Sequence, residues 1–235
     1  MLNNNLLALI ATFAAALLWL RLNDYLAHRG WISSHLSRKL IHIGTGPLFV
    51  LCWLLFTPAT TSRFLAALVP LSITLQFALV GLGIIKDQAA VEAMSRSGDR
   101  REILRGPLYY GVVFVVLTII FWLDSPIGIV ALMMVCGGDG LAEILGRRWG
   151  QKKIFKHANK SWVGSGGFFL GSWLLAVIIM WLYISAGVFQ ISFASLLLPL
   201  TLIALASTLV EAVSPLDLDN ITVPLVAVIL GYLLF

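Results

Sequence analysis

Pro126-Ile-Gly-Ile-Val-Ala-Leu-Met-Met-Val-Cys-Gly-Gly-Asp-Gly-Leu-Ala-Glu-Ile-Leu-Gly-Arg-Arg-Trp-Gly150 begins as an uncharged apolar run and ends in carboxylates, glycines and arginines. The first part is long enough, with its continuation to about residue 146, to cross a hydrocarbon core that needs roughly 20 apolar residues per helix. A carboxylate inside such a run is costly unless it faces a polar cavity, so Asp139 reads as a functional residue on a membrane-spanning helix. This one segment sets both the solvent and the site.

Working outward, seven more apolar runs are separated by polar stretches. Together the eight lie near residues 4–22, 40–57, 63–85, 108–123, 126–146, 163–186, 193–213 and 221–235, the last being the shortest, so that seven spans are the alternative count. The runs are continuous rather than alternating, which excludes a barrel, because backbone hydrogen bonds in lipid must close within each helix. The expected fold is all-α, a polytopic transmembrane helical bundle forming a single domain over residues 1–235. With 60% of residues apolar and 11% charged, soluble globular classes are excluded, and nothing points to a nucleic-acid partner. Cys52 and Cys136 fall inside apolar runs without ligand spacing and read as packing residues. The N-terminal run lacks leading basic residues and a clear cleavage site, and reads as a retained helix. Nothing resembles an Arg- and Ser-rich transit peptide, so the chain is expected to be either prokaryotic or already trimmed, in a prokaryotic inner or thylakoid-type membrane.

Charge orients the bundle. Of the 16 Lys and Arg residues, all but Arg63 fall in the connections after the first, third and fifth spans. A bias of this kind in short loops places the basic side toward the cytoplasm. Contact with lipid headgroups accounts for most of these charges, but several lie beside carboxylates, glycines and asparagines at the cytoplasmic ends of spans.

In Gly137 to Gly150, helical spacing puts Asp139, Ala142, Glu143 and Gly146 on one face. Two carboxylates one turn apart can hold a hard cation such as Mg²⁺, which keeps waters and bridges to substrate phosphates; a structural pairing with Arg147 is the alternative. Asn159-Lys-Ser-Trp-Val-Gly-Ser-Gly-Gly167 opens the sixth span, where Ser161 can cap the helix. Its free amides, with Lys160, then make an anion site, although the spacing is not that of a Walker A loop. Glu211 and the run Asp217-Leu-Asp-Asn-Ile-Thr-Val-Pro224 have no local basic residue and need a cation or a distant partner; Asp219 or Asn220 can also cap the last helix. Arg38-Lys-Leu-Ile-His-Ile-Gly-Thr-Gly46 places Arg38, Lys39 and His42 where they can bind phosphate or relay a proton. Arg105-Gly-Pro-Leu-Tyr-Tyr110 supplies another phosphate candidate in Arg105, with Tyr109 and Tyr110 read as interface anchors.

Together these motifs resemble the CTP-dependent polyprenol kinases, the family that includes phytol and dolichol kinases. The resemblance covers most of the chain. It rests on Arg38-Lys39 with His42 and Gly46, Arg105-Gly-Pro-Leu-Tyr-Tyr, Gly138-Asp-Gly-Leu-Ala with Gly146 and Gly150, Lys160-Ser161 with Gly164-Ser165, Glu211, and Asp219-Asn220 with Pro224. The motif order and the Leu-Asp-Asn-Ile-Thr-Val-Pro ending look closest to phytol kinases. The resemblance implies CTP as phosphate donor, Mg²⁺, and a long-chain isoprenoid alcohol drawn from the membrane lipid phase. Asp139 with Glu143, or the Glu211, Asp219 and Asn220 group, would hold the metal. Lys160, Arg105 and Lys39, with Arg38, Arg147, Ser161, Gly164 and Ser165, would hold phosphates, and a carboxylate or His42 would accept the hydroxyl proton. Membrane cytidylyltransferases are the nearest competing enzymes, but their terminal Asp-Arg-x-x-Asp type element is absent. A transporter is a further alternative, against which stands the gathering of polar residues at one face.

Overall fold

A computed structural model describes residues 4–154 and 160–235, except for the side chains of Ser34, His35 and Arg38. The chain folds into α1 (Asn5–His28), α2 (Ser34–Cys52), α3 (Ser62–Leu82), α4 (Gln88–Met94), α5 (Gly106–Phe121), α6 (Pro126–Trp149), α7 (Trp162–Ser185), α8 (Phe193–Val213) and α9 (Asp219–Leu234). Among the described residues the sole β pairing is an isolated bridge between Lys153 and Ser161. The architecture is the expected all-α polytopic bundle. Among the described residues, six helical stretches are long and apolar enough to cross a membrane, and two shorter apolar ones, Lys39–Leu55 and Asp219–Leu234, complete the eight expected runs.

The bundle turns its hydrocarbon outward. Leu18, Leu209 and Leu233 are each at least 70% exposed, and large contiguous apolar surface of this kind marks a membrane-facing protein. This is a multi-pass membrane protein. At its centre stands α6, buried on every side without interruption from Pro126 to Gly138, as expected of a helix apolar all round.

Small residues set how closely its neighbours approach. A Cβ on Gly137 would lie 2.3 Å from the backbone oxygen of Gly171, and one on Gly171 would lie 2.2 Å from that of Gly137. The α6–α7 contact is therefore backbone to backbone, the small-residue packing used where lipid supplies no hydrophobic driving force. On another side of α6, Ile43 of α2 fills the space a Cβ on Gly140 would occupy.

Two segments differ from expectation. The connection after α3, expected as a loop, carries α4 and a 3-10 turn at Arg100–Leu104. Asp87 caps the first by accepting from Ala90 N at 3.0 Å, and Asp99 caps the second by accepting from Arg101 N at 2.9 Å. Val91 and Ile103 then bury against Val80 in a small cluster of their own. α1 also runs past its apolar stretch to His28, because buried Asn23 donates to Trp19 O and its own carbonyl accepts from Ser37 Oγ of α2. At the end of the bundle opposite the basic loops, Arg63 pairs with Asp124 and donates to the carbonyl of Ile119.

Candidate active site

The α2–α6 contact that Gly140 permits brings Lys39, His42 and Ile43, one turn apart, against the polar end of α6. Lys39 Nζ, on a side chain only 9% exposed, lies 3.5 Å from Asp139 Oδ2 and bonds Glu143 Oε2. Both carboxylates are one turn apart on α6, so one lysine spans them. His42 Nε2 lies 3.2 Å from the same Asp139 oxygen. Its ring packs on Tyr110 at 4.6 Å between centroids, and the Tyr110 hydroxyl lies 3.1 Å from Cys136 Sγ. Tyr110 is thus an interior support for His42 rather than an interface anchor. Arg38 belongs to the same helix, but its side chain lies outside the described ones.

A second cluster forms where α7, α8 and α9 meet. Ser161 caps α7 by accepting from Gly164 N at 3.1 Å. Its hydroxyl is buried against Gly146 and Gly150, and Gly164 lies against the Ala142 carbonyl and Gly146. This packing anchors Lys160, the residue before Ser161. Lys160 Nζ sits 2.8 Å from Glu211 Oε1 and 3.0 Å from Asp219 Oδ2, and also donates to the Glu211 carbonyl. Burial opposes charge on this amine, but the two carboxylates outweigh it and hold its pKa above the ordinary 10.5. Among the described residues, Glu211 Oε2 and the hydroxyls of Ser165 and Ser207 are buried without a hydrogen-bond partner. Asn159, the first residue of this motif, lies outside the described residues.

A small gap of about 10 Å³, room for a single water, lies between the two clusters, lined by Val135, Asp139, Phe168, Asp219, Asn220 and Val223. Its polar residues stand one helical turn from its apolar ones on both α6 and α9, so it grades from carboxylate to hydrocarbon along the bundle axis. The start of α5 presses against its rim, where a Cβ on Gly106 would come 3.1 Å from Asp217 Oδ1 and 3.5 Å from Asn220 Nδ2. Arg105, immediately before, is exposed there. Asp217, held at a positive φ of 70°, pairs with Arg96 at 3.3 Å, so the α3–α5 connection is tied to the α8–α9 connection across the site. Arg147 is exposed in the last turn of α6, about 12 Å along the axis from Asp139.

The structure thus brings together Lys39, His42, Asp139 and Glu143, and separately Lys160, Glu211 and Asp219, with Asn220 between them. Ser161 and Gly164 serve the α6–α7 joint instead of lining the cleft. The distant partners that the terminal carboxylates require are Lys160 and Arg96. Sequence reasoning missed Arg96, Tyr110, and the cleft walls Val135, Phe168 and Val223. Tyr110 had a usable signal in its place one turn inside α5, whereas nothing local marks the others. Among the described residues no three His, Cys, Asp or Glu side chains form a ready metal-ligand group.

Fold and site define a class: a polytopic membrane protein with a carboxylate- and lysine-lined cleft at one end of its bundle. Compared with known proteins, the chain is 41% identical over 230 residues to a probable chloroplastic phytol kinase of Triticum aestivum, covering 97% of this chain and 77% of that protein. It is 42% identical over 224 residues to probable phytol kinase 1 of Oryza sativa subsp. japonica, covering 94% and 71%. It is 37% identical over 214 residues to phytol kinase 1 of Arabidopsis thaliana, covering 90% and 70%. The chain belongs to the phytol kinase family. No family model and no solved structure matches it.

Proposed function

We propose that this protein transfers the γ-phosphate of CTP to the hydroxyl of a long-chain isoprenoid alcohol, phytol being the substrate its relatives' names carry. The observation that carries this reading is the convergence of carboxylates and lysines from α2, α6, α8 and α9 and the start of α7 at one end of the bundle. Asp139, Asp219 and Asn220 share the polar end of the gap there with Lys39 and Lys160 alongside, while Val135, Phe168 and Val223 make its inner wall apolar. Polar groups set directly above an apolar wall suit the hydroxyl end of an amphiphilic alcohol.

The donor set is hard oxygen throughout, and one carboxylate oxygen, Glu211 Oε2, is buried with no partner among the described residues. These residues fit Mg²⁺, a cation that takes one or two carboxylates and completes its shell with phosphate oxygens and water. Asp139 with Glu143, or Asp219 with Glu211 and Asn220, would hold it, and bound there it supplies neutralisation of phosphate charge. Phosphoryl transfer otherwise demands positioning and electrostatic stabilisation. Lys39 and Lys160 would bind the phosphates, with Arg105 at the rim. His42, held by Asp139 and Tyr110, is one candidate to accept the hydroxyl proton, and a carboxylate of the cleft is the other.

The basic loops would face the cytoplasm of a prokaryotic inner or thylakoid-type membrane, because short basic connections are retained on that side and CTP cannot cross lipid unaided. Incubating the purified protein in lipid with γ-labelled CTP and a panel of alcohols tests the reading. Label should pass to phytol and depend on Mg²⁺; label released as pyrophosphate would sink it.

A further inference from the structure

The gap between the two clusters has room for a single water, so the bulk of any nucleotide lies outside it. Beside it the molecule has a larger space. A hollow of about 630 Å³ opens between the end of α3, the start of α4 and the 3-10 turn at Arg100–Leu104, a volume within the roughly 300–1,000 Å³ of small-molecule sites. Val80 and Val91, members of the small buried cluster, make part of it apolar, and Asp87, Asp99 and Arg100 line it with charge.

The wall of this hollow is held in place by its own hydrogen bonds. Glu102 accepts from the amides of Arg96 and Ser97 at 2.5 and 3.2 Å and from the Ser97 hydroxyl at 2.8 Å. Ser95 Oγ accepts from Gly98 N at 3.0 Å, and Gly98 turns the chain at a φ of 84°. Arg100 lies across the end of α3, where it fills the space of a Cβ on Gly83 and donates to the Gly81 carbonyl at 3.4 Å. A guanidinium carries five N–H donors, so this anchoring leaves others for a ligand.

The same segment leads to the site. Arg96 pairs with Asp217 at 3.3 Å, and the 3-10 turn, at about 2 Å per residue, carries the chain roughly 10 Å from Arg100 to Arg105 at the rim. A nucleotide needs this order, with base and ribose in the hollow and phosphates running past Arg96 and Arg105 toward Lys39 and Lys160. The lining also selects among ligands. Two carboxylates repel a free phosphate or an anionic lipid headgroup, whereas a cytosine edge presents an amine donor beside acceptors, which a carboxylate and a guanidinium together satisfy.

We propose that this hollow binds the cytidine end of the phosphate donor, with Asp87, Asp99 and Arg100 holding base and ribose. This rests on CTP as the donor named under the proposed function, and it gives the nucleoside a place that the phosphate-facing residues do not supply.

Kinetics of the full-length protein in lipid nanodiscs, with CTP and phytol as substrates and inorganic triphosphate as inhibitor, separate the two ends of the donor. Arg100→Gln should raise the KM for CTP about tenfold, the scale of one hydrogen bond to a charged group. The effect falls on KM rather than kcat, because the nucleoside is held equally in ground and transition states. KM for phytol and inhibition by inorganic triphosphate should stay at their wild-type values. Should Arg100→Gln fail to fold, Gln88→Trp, which adds bulk at an exposed residue of α4 lining the hollow, should give the same pattern. An active variant with unchanged KM for CTP, or with triphosphate inhibition weakened as much as CTP binding, overturns the proposal and leaves the reaction standing. Wild type that transfers no phosphate from CTP overturns the donor assignment and the proposal together.

Discussion

Lys160 Nζ lies 3.0 Å from Asp219 Oδ2, tying the base of α7 to the first residue of α9. The same amine reaches Glu211 Oε1 on α8 at 2.8 Å, so one side chain joins three helices at the mouth of the cleft. Its loss should be felt in both catalysis and assembly, and the two effects are separable.

For catalysis, Asp139→Asn and Lys160→Ala are each expected to lower turnover about 10²-fold or more, the scale seen when one group aimed at developing charge is removed. Folded, membrane-inserted protein should still be recovered. Near-normal rates in both variants, measured with labelled CTP, would show that the chemistry lies elsewhere.

For assembly, the sign of the pH dependence follows from the raised pKa of Lys160. A group whose pKa is higher folded than unfolded contributes stability that is fully present below its unfolded value, here about 10.4, and lost as pH rises through the folded value. The difference in melting temperature between wild type and Lys160→Met should accordingly stay constant through neutral pH and shrink only above about pH 10. A difference that disappears between pH 6 and 8 would assign it to another group.

The backbone contact of α6 with α7 predicts a steric effect with no charge involved. Gly171→Ala places a methyl 2.2 Å from the Gly137 carbonyl, a rigid neighbour. The helices must separate, costing about 1–3 kcal/mol or more, with a lower melting temperature and reduced activity. Gly166→Ala is the control on the same helix, since a Cβ there meets nothing within 4 Å.

Sidedness is open to chemical labelling. With Cys52 and Cys136 replaced, single cysteines at exposed Ser97 and Gln151 should be shielded from an impermeant thiol reagent in intact cells. One at exposed Gln190, in the connection between α7 and α8, should react. Labelling of Ser97Cys or Gln151Cys from outside would reverse the orientation and remove cytoplasmic CTP as the donor.

How much of this was legible beforehand depends on the range of the interaction. Helices such as α7 and α8 were visible because about twenty uncharged, mostly apolar residues in a row leave few alternatives in lipid. Asp139 and Glu143 could be placed on one face because helical spacing is local. That Lys39 answers Asp139, and Lys160 answers Asp219, depends on which helices pack together, and the glycines that decide it, Gly140 and Gly137, carry no mark of their partners. α4 went unread because seven residues make too short a periodic signal. Tyr110 was misplaced because adjacent Tyr109 has the same chemistry, and a step of about 100° around the helix separates one neighbour from the other.

The central claim is that the cleft transfers a phosphoryl group from CTP to an alcohol. Protein reconstituted in lipid and given γ-labelled CTP, Mg²⁺ and phytol should form labelled phytyl phosphate and unlabelled CDP, at a rate about 10²-fold or more lower when Asp139 is replaced by Asn. Appearance of labelled pyrophosphate with a CDP-linked lipid, or of unchanged CTP with folded, membrane-inserted protein, would contradict it.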